Sequence, residues 1–401
     1  MSMYIPTKNK PQLNNGDLLL KNARNLTLYL GTLSICALIA GCSGSDSSSS
    51  TSSTITYTTI NSSTVSTNLT SLTGIRGVNS SSNVFITGGT ITSSKVYSNQ
   101  LYVGPITGGG VYYTLNVPGS NSSTTSYSAD NWLVNQVEVA GNATINGSSR
   151  GFLYQGPIAN NDGVGKFGTA PWYDITYTST GNPYTGTAYS SIPHSVMNNI
   201  VVGGFERGAI NAYLCDITTP ASPDCNDMSK AFASLAIPPL STSAYGVWWN
   251  GGTSYTIVGG YTNALTTDLA SPSATGVKGF IVDYDSSTKI YKNFTSYNYN
   301  NDTSGLYITH FEGITFDTAK GGYNLVGEGM LSSGALAGGL CNVTRNADGS
   351  FTTSPKWVAI SYPGATTTNY NTVYQNNILG TYQPGAQVLN GYVANIPTSL
   401  Y

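Results

Sequence analysis

The sequence predicts an all-β fold: a six-bladed β-propeller of four-stranded blades, its ring closed by the N-terminal strand. Three observations carry that expectation. The same order of four short β-like runs occurs six times between residues 55 and 396. Only 8% of residues are charged, while Gly (46) and Tyr (29) are abundant, so aromatic and β-branched surface is available for burial. The series also begins on a first run near Ile55 and stops after a fourth run near Ile396, so the chain's two ends can complete one sheet.

The third run is the clearest ruler, an apolar pair or near-pair and then Gly. It reads Ile86-Thr-Gly88, Val139-Ala-Gly141, Val202-Gly203, Val258-Gly259, Val326-Gly327 and Leu379-Gly380. Successive ruler glycines are 53, 62, 56, 68 and 53 residues apart. A fourth run follows each time: Leu101-Tyr-Val103, Phe152-Leu-Tyr154, Tyr213-Leu-Cys215, Phe280-Ile-Val282, Leu340-Cys341 and Tyr392-Val-Ala394. First runs are aromatic and β-branched, at Ile55, Tyr113, Trp172, Phe232-Ala-Ser-Leu235, Tyr291 and Trp357. Second runs pair a small residue with an aliphatic: Gly74-Ile75, Ser128-Ala129, Ser195-Val196, Gly246-Val247, Gly313-Ile314 and Thr372-Val373. Several lead into hairpin signals such as Asn198-Asn199, Asn250-Gly251 and Asn376-Asn377.

One such unit is a sheet that cannot bury both faces alone, so neighbours must stack, and this spacing suits propeller blades. Crowding near an axis would demand the small second-run strand innermost, leaving the N-terminal strand to complete the last blade from outside. An open stack, a β-sandwich, or five blades with a degenerate first unit are the alternatives.

The N-terminus reads as an address. Lys21 and Arg24 precede an uncharged, mostly apolar run from Leu26 to Gly41, too short for a comfortable membrane span and suited to a secretory signal. It ends Leu38-Ile-Ala-Gly-Cys42, which resembles the lipobox of bacterial lipoproteins. That resemblance implies that residues 1–41 are removed, that Cys42 carries the lipid and that the membrane is a partner. With Ser43 next, it implies the outer membrane. An ordinary signal peptide or a signal anchor is the other possibility. Residues 42–54 are Ser-rich and form a tether, leaving 55–401 as the folded domain. The chain's formal charge is −2, and the processed body is more acidic, which argues against nucleic acid.

Thr114-Leu-Asn-Val-Pro-Gly-Ser120 with Tyr127-Ser-Ala-Asp-Asn131, Val139-Ala-Gly141 and Gly151-Phe-Leu-Tyr154 resembles the HAF family of bacterial extracellular repeats. Tyr362-Pro-Gly-Ala365 with Val373 and Asn390-Gly-Tyr392 resembles it too. The naming His-Ala-Phe triplet is replaced by Arg150-Gly151-Phe152, Asn211-Ala212-Tyr213 and Lys278-Gly279-Phe280. The resemblance implies an exported repeat protein and brings no settled activity.

If the second run lines the axis, the residues just before it face a central channel: Thr73, Tyr127, His194, Tyr245, Glu312 and Asn371. Such a ring is a pocket for a small or glycan ligand, or merely a hydrogen-bonded channel. His194 with Glu312 could perform acid–base work if the two converge. No metal-ligand cluster at a recognisable spacing appears, and no cofactor motif. Asp283-Tyr-Asp285 and Asn346-Ala-Asp-Gly349 lack the remaining calcium ligands, and Asp348-Gly349 reads as a hairpin turn. Cys215 and Cys225 bracket a Pro-containing loop and form an expected disulfide, while Cys341 reads as a buried small residue. Trp248-Trp249 and Tyr297-Asn-Tyr299 are candidates for surface aromatics that stack on sugars or anchor a protein, or else pack between blades. The first functional expectation is a non-enzymatic binding or interaction module for a glycan or an envelope protein. The alternative is a channel-site enzyme on glycans, and the third a purely structural surface protein.

Overall fold

The computed structural model describes residues 54–401 apart from 62–68, 80, 92–96, 184, 263–276, 303–307, 331–335 and 386–387. The signal segment, Cys42 and most of the tether lie outside the described residues. The body is a six-bladed β-propeller, and no α-helix occurs among the described residues. From the axis outward, blade one is Leu69–Gly77, Asn83–Ile91, Tyr97–Pro105 and Val111–Asn116, with Asn161–Asp162 added at its edge. Blade two is Ser120–Asn131, Gln136–Ile145, Ser148–Pro157 and Trp172–Asp174. Blade three is Ser191–Met197, Ile200–Arg207, Ala209–Asp216 and Asp224–Asp227. Blade four is Ser241–Gly251, Ser254–Thr262, Val277–Asp285 and Ile290–Tyr297. Blade five is Ile308–Phe316, Tyr323–Met330, Leu336–Val343 and Lys356–Ala359.

Blade six takes Thr367–Tyr374, Asn377–Gln383 and Asn390–Asn395 from the chain's end and Thr56–Ile60 from its beginning. Thr56 pairs with Asn395 and Ile60 with Gly391, so the N-terminal strand closes the ring from outside. Closure is visible in the packing as well. Each interface between neighbouring blades has its own cluster of buried apolar side chains, including the interface of blade six (Ile60, Leu379, Val393) with blade one (Leu72, Ile75, Ile86). An open stack would leave that last face wet, and each large side chain buried there contributes about 1.5–3 kcal/mol.

The ruler glycines have a specific cause. In every blade the innermost strand carries a β-bulge, and the ruler glycine of the second strand pairs with the residue immediately before it: Leu72 with Gly88, Ser126 with Gly141, Pro193 with Gly203, Ala244 with Gly259, Phe311 with Gly327 and Tyr370 with Gly380. The bulge bends the innermost strand over its partner. A Cβ on Gly380 would sit 1.9 Å from the Asn369 carbonyl oxygen, and one on Gly259 2.0 Å from that of Ser243. The small second-run residues answer a different crowding, from the next blade. A Cβ on Gly74 would lie 2.1 Å from the Tyr127 carbonyl oxygen of blade two. Where that position is Ser, its hydroxyl accepts a neighbour's amide: Ser128 from Val196 and Ser195 from Val247.

One expected element is corrected. Phe232-Ala-Ser-Leu235 is not the outer strand of blade three. Asp224–Asp227 holds that place, and Phe232 ends a 3-10 helix, Ser229–Phe232, buried against Phe280 and Phe294. Asp224–Asp227 is fixed there by the expected Cys215–Cys225 disulfide, which joins directly paired residues. Cys341 is free and buried, as expected.

Gly380→Ala is expected to destabilise the fold by about 1–3 kcal/mol by overpacking the bulge. Gly385→Ala, where nothing lies within 4 Å of the new Cβ, should change stability by less than about 0.5 kcal/mol. Denaturant midpoints of the two variants check this, and equal midpoints would refute the account.

Candidate functional site

The six residues expected to ring the axis are the six bulge residues. Thr73, Tyr127, His194, Tyr245, Glu312 and Asn371 each fall at the register shift of their own innermost strand. Taken out of the ladder, they meet across blade boundaries. The Tyr127 and His194 rings lie 5.0 Å apart, His194 and Tyr245 4.5 Å, and Tyr245 and His310 5.4 Å. His310 Nε2 and Glu312 Oε1 are hydrogen-bonded at 2.7 Å, with side chains 9% and 12% exposed. Blades two to five therefore contribute a continuous aromatic and titratable arc.

The other two ring residues stitch blades together. The Thr73 hydroxyl donates to the Ser126 carbonyl of blade two at 2.6 Å, and the Asn371 amide donates to the Leu72 carbonyl of blade one. A hydrogen-bonded acid–base pair also lies in the arc. Glu312 bonds His310, two residues before it on the same strand, whereas His194 is held between Tyr127 and Tyr245.

A second, charged layer lies three residues further along the innermost strands, and the sequence reading missed it. Arg76 of blade one donates from Nη2 to the Val247 carbonyl of blade four at 3.3 Å, and its guanidinium lies 5.3 Å from the Trp248 ring centre. Blades one and four are opposite each other, so Arg76 spans the axis. Asp130 of blade two accepts the Asn198 amide at 3.2 Å, and Glu138, 1% exposed, accepts from Gln155 at 3.2 Å. Arg76 Nε and Gln155 Oε1 are buried with no hydrogen-bond partner. Burial, then the neighbouring Asp130, push the Glu138 carboxyl up to about 8. Burial raises Asp130 as well, against the opposing effect of Arg76. A signal was present: Val137-Glu138-Val139 sets a carboxylate inside an apolar strand run of a charge-poor chain.

The expected surface aromatics divide. Trp249 is 37% exposed and Trp248 half-buried, and both line a groove of about 680 Å³ between blades four and five. Tyr297 and Tyr299 are buried, the packed alternative of the two that the sequence left open. Tyr297 donates its hydroxyl to the Thr352 carbonyl at 2.6 Å, and Tyr299 packs edge-on to Trp357. Asp283 is no calcium ligand here, since Arg345 clasps both its oxygens at 2.7 and 2.9 Å. Asp348-Gly349 forms the expected turn, bridged at Arg345 and Phe351. Among the described residues no group of three or more metal-ligating side chains converges.

No family model matches the chain, and no curated protein matches it. Solved structures similar to it include a thermostable family-43 glycoside hydrolase, 11% identical over 75% of this chain and 97% of that one, TM-score 0.43. Others are the family PL25 polysaccharide lyase ulvan lyase (10%, 80% and 84%, TM-score 0.42) and the GH43_1 enzyme from Xanthomonas citri complexed with xylose (11%, 74% and 93%, TM-score 0.36). At these identities the likeness concerns the fold alone.

The raised Glu138 carboxyl has a stability consequence. The folded protein keeps a proton that the unfolded chain releases near the ordinary glutamate value of 4.5. The stability from this proton is complete below that pH and is lost as pH rises towards about 8. Thermal melts should therefore drop between mildly acidic and mildly alkaline pH, and Glu138→Gln should flatten the drop. The same slope in both proteins would refute the assignment.

Proposed function

We propose that this chain is a lipid-anchored protein of the bacterial envelope, in the outer membrane, whose propeller binds a hydroxyl-rich ligand such as a glycan end at its axis. The observation that carries the binding reading is the contrast between backbone and side chains at the bulges. The backbone device repeats in all six blades, while the side chains it presents do not: Thr, Tyr, His, Tyr, Glu and Asn. A scaffold that repeats while its inward chemistry varies and stays polar is what a site grafted onto a fold looks like. Bulges recur beside functional sites because they re-aim a side chain. Aromatic faces, imidazoles that donate or accept, and one carboxylate match a ligand that presents C–H faces and hydroxyls.

The anchor reading rests on the charged, apolar and Cys42 sequence of the N-terminus, and the topology is compatible with it. Thr56 lies level with Asn395 and Asn377, at the face where the innermost strands end. From Cys42 to Ile55 an extended tether reaches at most about 45 Å, which would hold the body within that distance of the membrane.

A second reading is favoured by one contact. The 2.7 Å bond between His310 and Glu312 orients an imidazole beside a carboxylate, the arrangement a general acid–base pair needs, so the axis would act on glycans as well as bind them.

Two experiments test these readings. Cys42→Ser should abolish incorporation of an alkynyl palmitate label and move the protein from the membrane to the soluble fraction, and a label retained by the variant would end the anchor proposal. Glycans incubated with the wild type should show binding without product if the axis only binds. If it is catalytic, product should form and fall by about 10²–10⁴-fold in His310→Ala and Glu312→Gln. Product undiminished in both variants would end the enzyme reading.

A further inference from the structure

We infer that the groove between blades four and five is a second ligand site, distinct from the axis, and that it binds a neutral oligosaccharide by stacking. Its volume, about 680 Å³, lies within the range of small-ligand sites. It is cut into the face where the innermost strands end, whereas the arc of His310 and Glu312 sits midway along those strands.

Its walls are built and locked. Asp283, only 4% exposed, accepts both guanidinium nitrogens of Arg345, the Asn293 amide at 2.7 Å and the Thr256 hydroxyl at 2.9 Å, which engages both its oxygens. The Tyr323 hydroxyl donates to Asn250 at 2.7 Å, and Asn250 donates to Thr256 at 2.9 Å. Arg345 lies 4.3 Å over the Phe351 ring, and the Trp249 indole N–H donates to the Gly252 carbonyl at 3.0 Å. Five strands and the Arg345–Phe351 turn, from two blades, are thereby held in one arrangement before any ligand arrives, which is how affinity is gained without ordering cost.

The chemistry of the occupant follows from what remains exposed. Arg345 and Asp283 neutralise each other, and Lys292 and Asp348 at the rim are of opposite sign, so the groove demands no charged ligand. Its exposed lining then includes two aromatic rings, Trp249 at 37% and Phe316 at 38% exposure, beside Asn250 and the two rim charges. Exposed large aromatics on rigid supports gain by covering a flat C–H face. A pyranose ring offers such a face on an uncharged body, and successive rings of a chain can cover both aromatics.

The test uses the full-length chain with hexasaccharides of glucose, xylose, galactose and mannose, and hexagalacturonate as the charged counterpart. Tryptophan fluorescence and calorimetry report binding. At least one neutral hexasaccharide should bind and shift the tryptophan emission, and Trp249→Ala and Phe316→Ala should each weaken it by roughly tenfold or more. Both side chains are partly exposed, so the variants should fold, and Val134→Ala, at an 89% exposed position, serves as the control. The inference is overturned if no neutral hexasaccharide binds, if hexagalacturonate binds more tightly, or if Trp249→Ala binds like the wild type. Binding lost in Glu312→Gln but kept in Trp249→Ala would assign the ligand to the axis and overturn it too.

Discussion

The close approach of six innermost strands around one axis is the constraint on which the rest of this molecule depends. Each must pack against two neighbours and pair with its own second strand, and the bulge at mid-strand reconciles the two demands. Glycine opposite the bulge and a small residue after it are then steric necessities, because the atoms a Cβ would meet are mostly backbone carbonyls that cannot swing aside. The residue at the bulge itself carries no such restriction. It is outside the ladder, so its identity can serve to stitch blades, as at Thr73 and Asn371, or something other than the fold, as in the arc from Tyr127 to Glu312.

That division explains how much could be read in advance. Gly88, Gly141, Gly203, Gly259, Gly327 and Gly380 repeat visibly because one backbone constraint acts identically six times, and the axial residue always follows the ladder partner of its glycine. Outer strands are under no comparable constraint, so Phe232 could imitate one while serving a 3-10 helix whose aromatic ring fills the interface of blades three and four. Sequence left Tyr297 and Tyr299 open between surface and packing, because the carbonyl that the Tyr297 hydroxyl finds is 55 residues away. The pairing of His310 with Glu312 depends on how the strand bends at its bulge, and that of Arg345 with Asp283 joins residues 62 apart. Neither is a matter of local pattern.

The placement of the few charges completes the argument. In a chain with only 8% charged residues, Arg76, Asp130, Glu138, His310 and Asp283 are all buried, the first four in the axial layers or beside them and the last behind the groove. Burying charge is costly unless it is paired, so a fold needing only stability would place apolar residues there. Trp248 belongs to both regions: Arg76 rests on its ring from the axis, and it lines the groove on the other side.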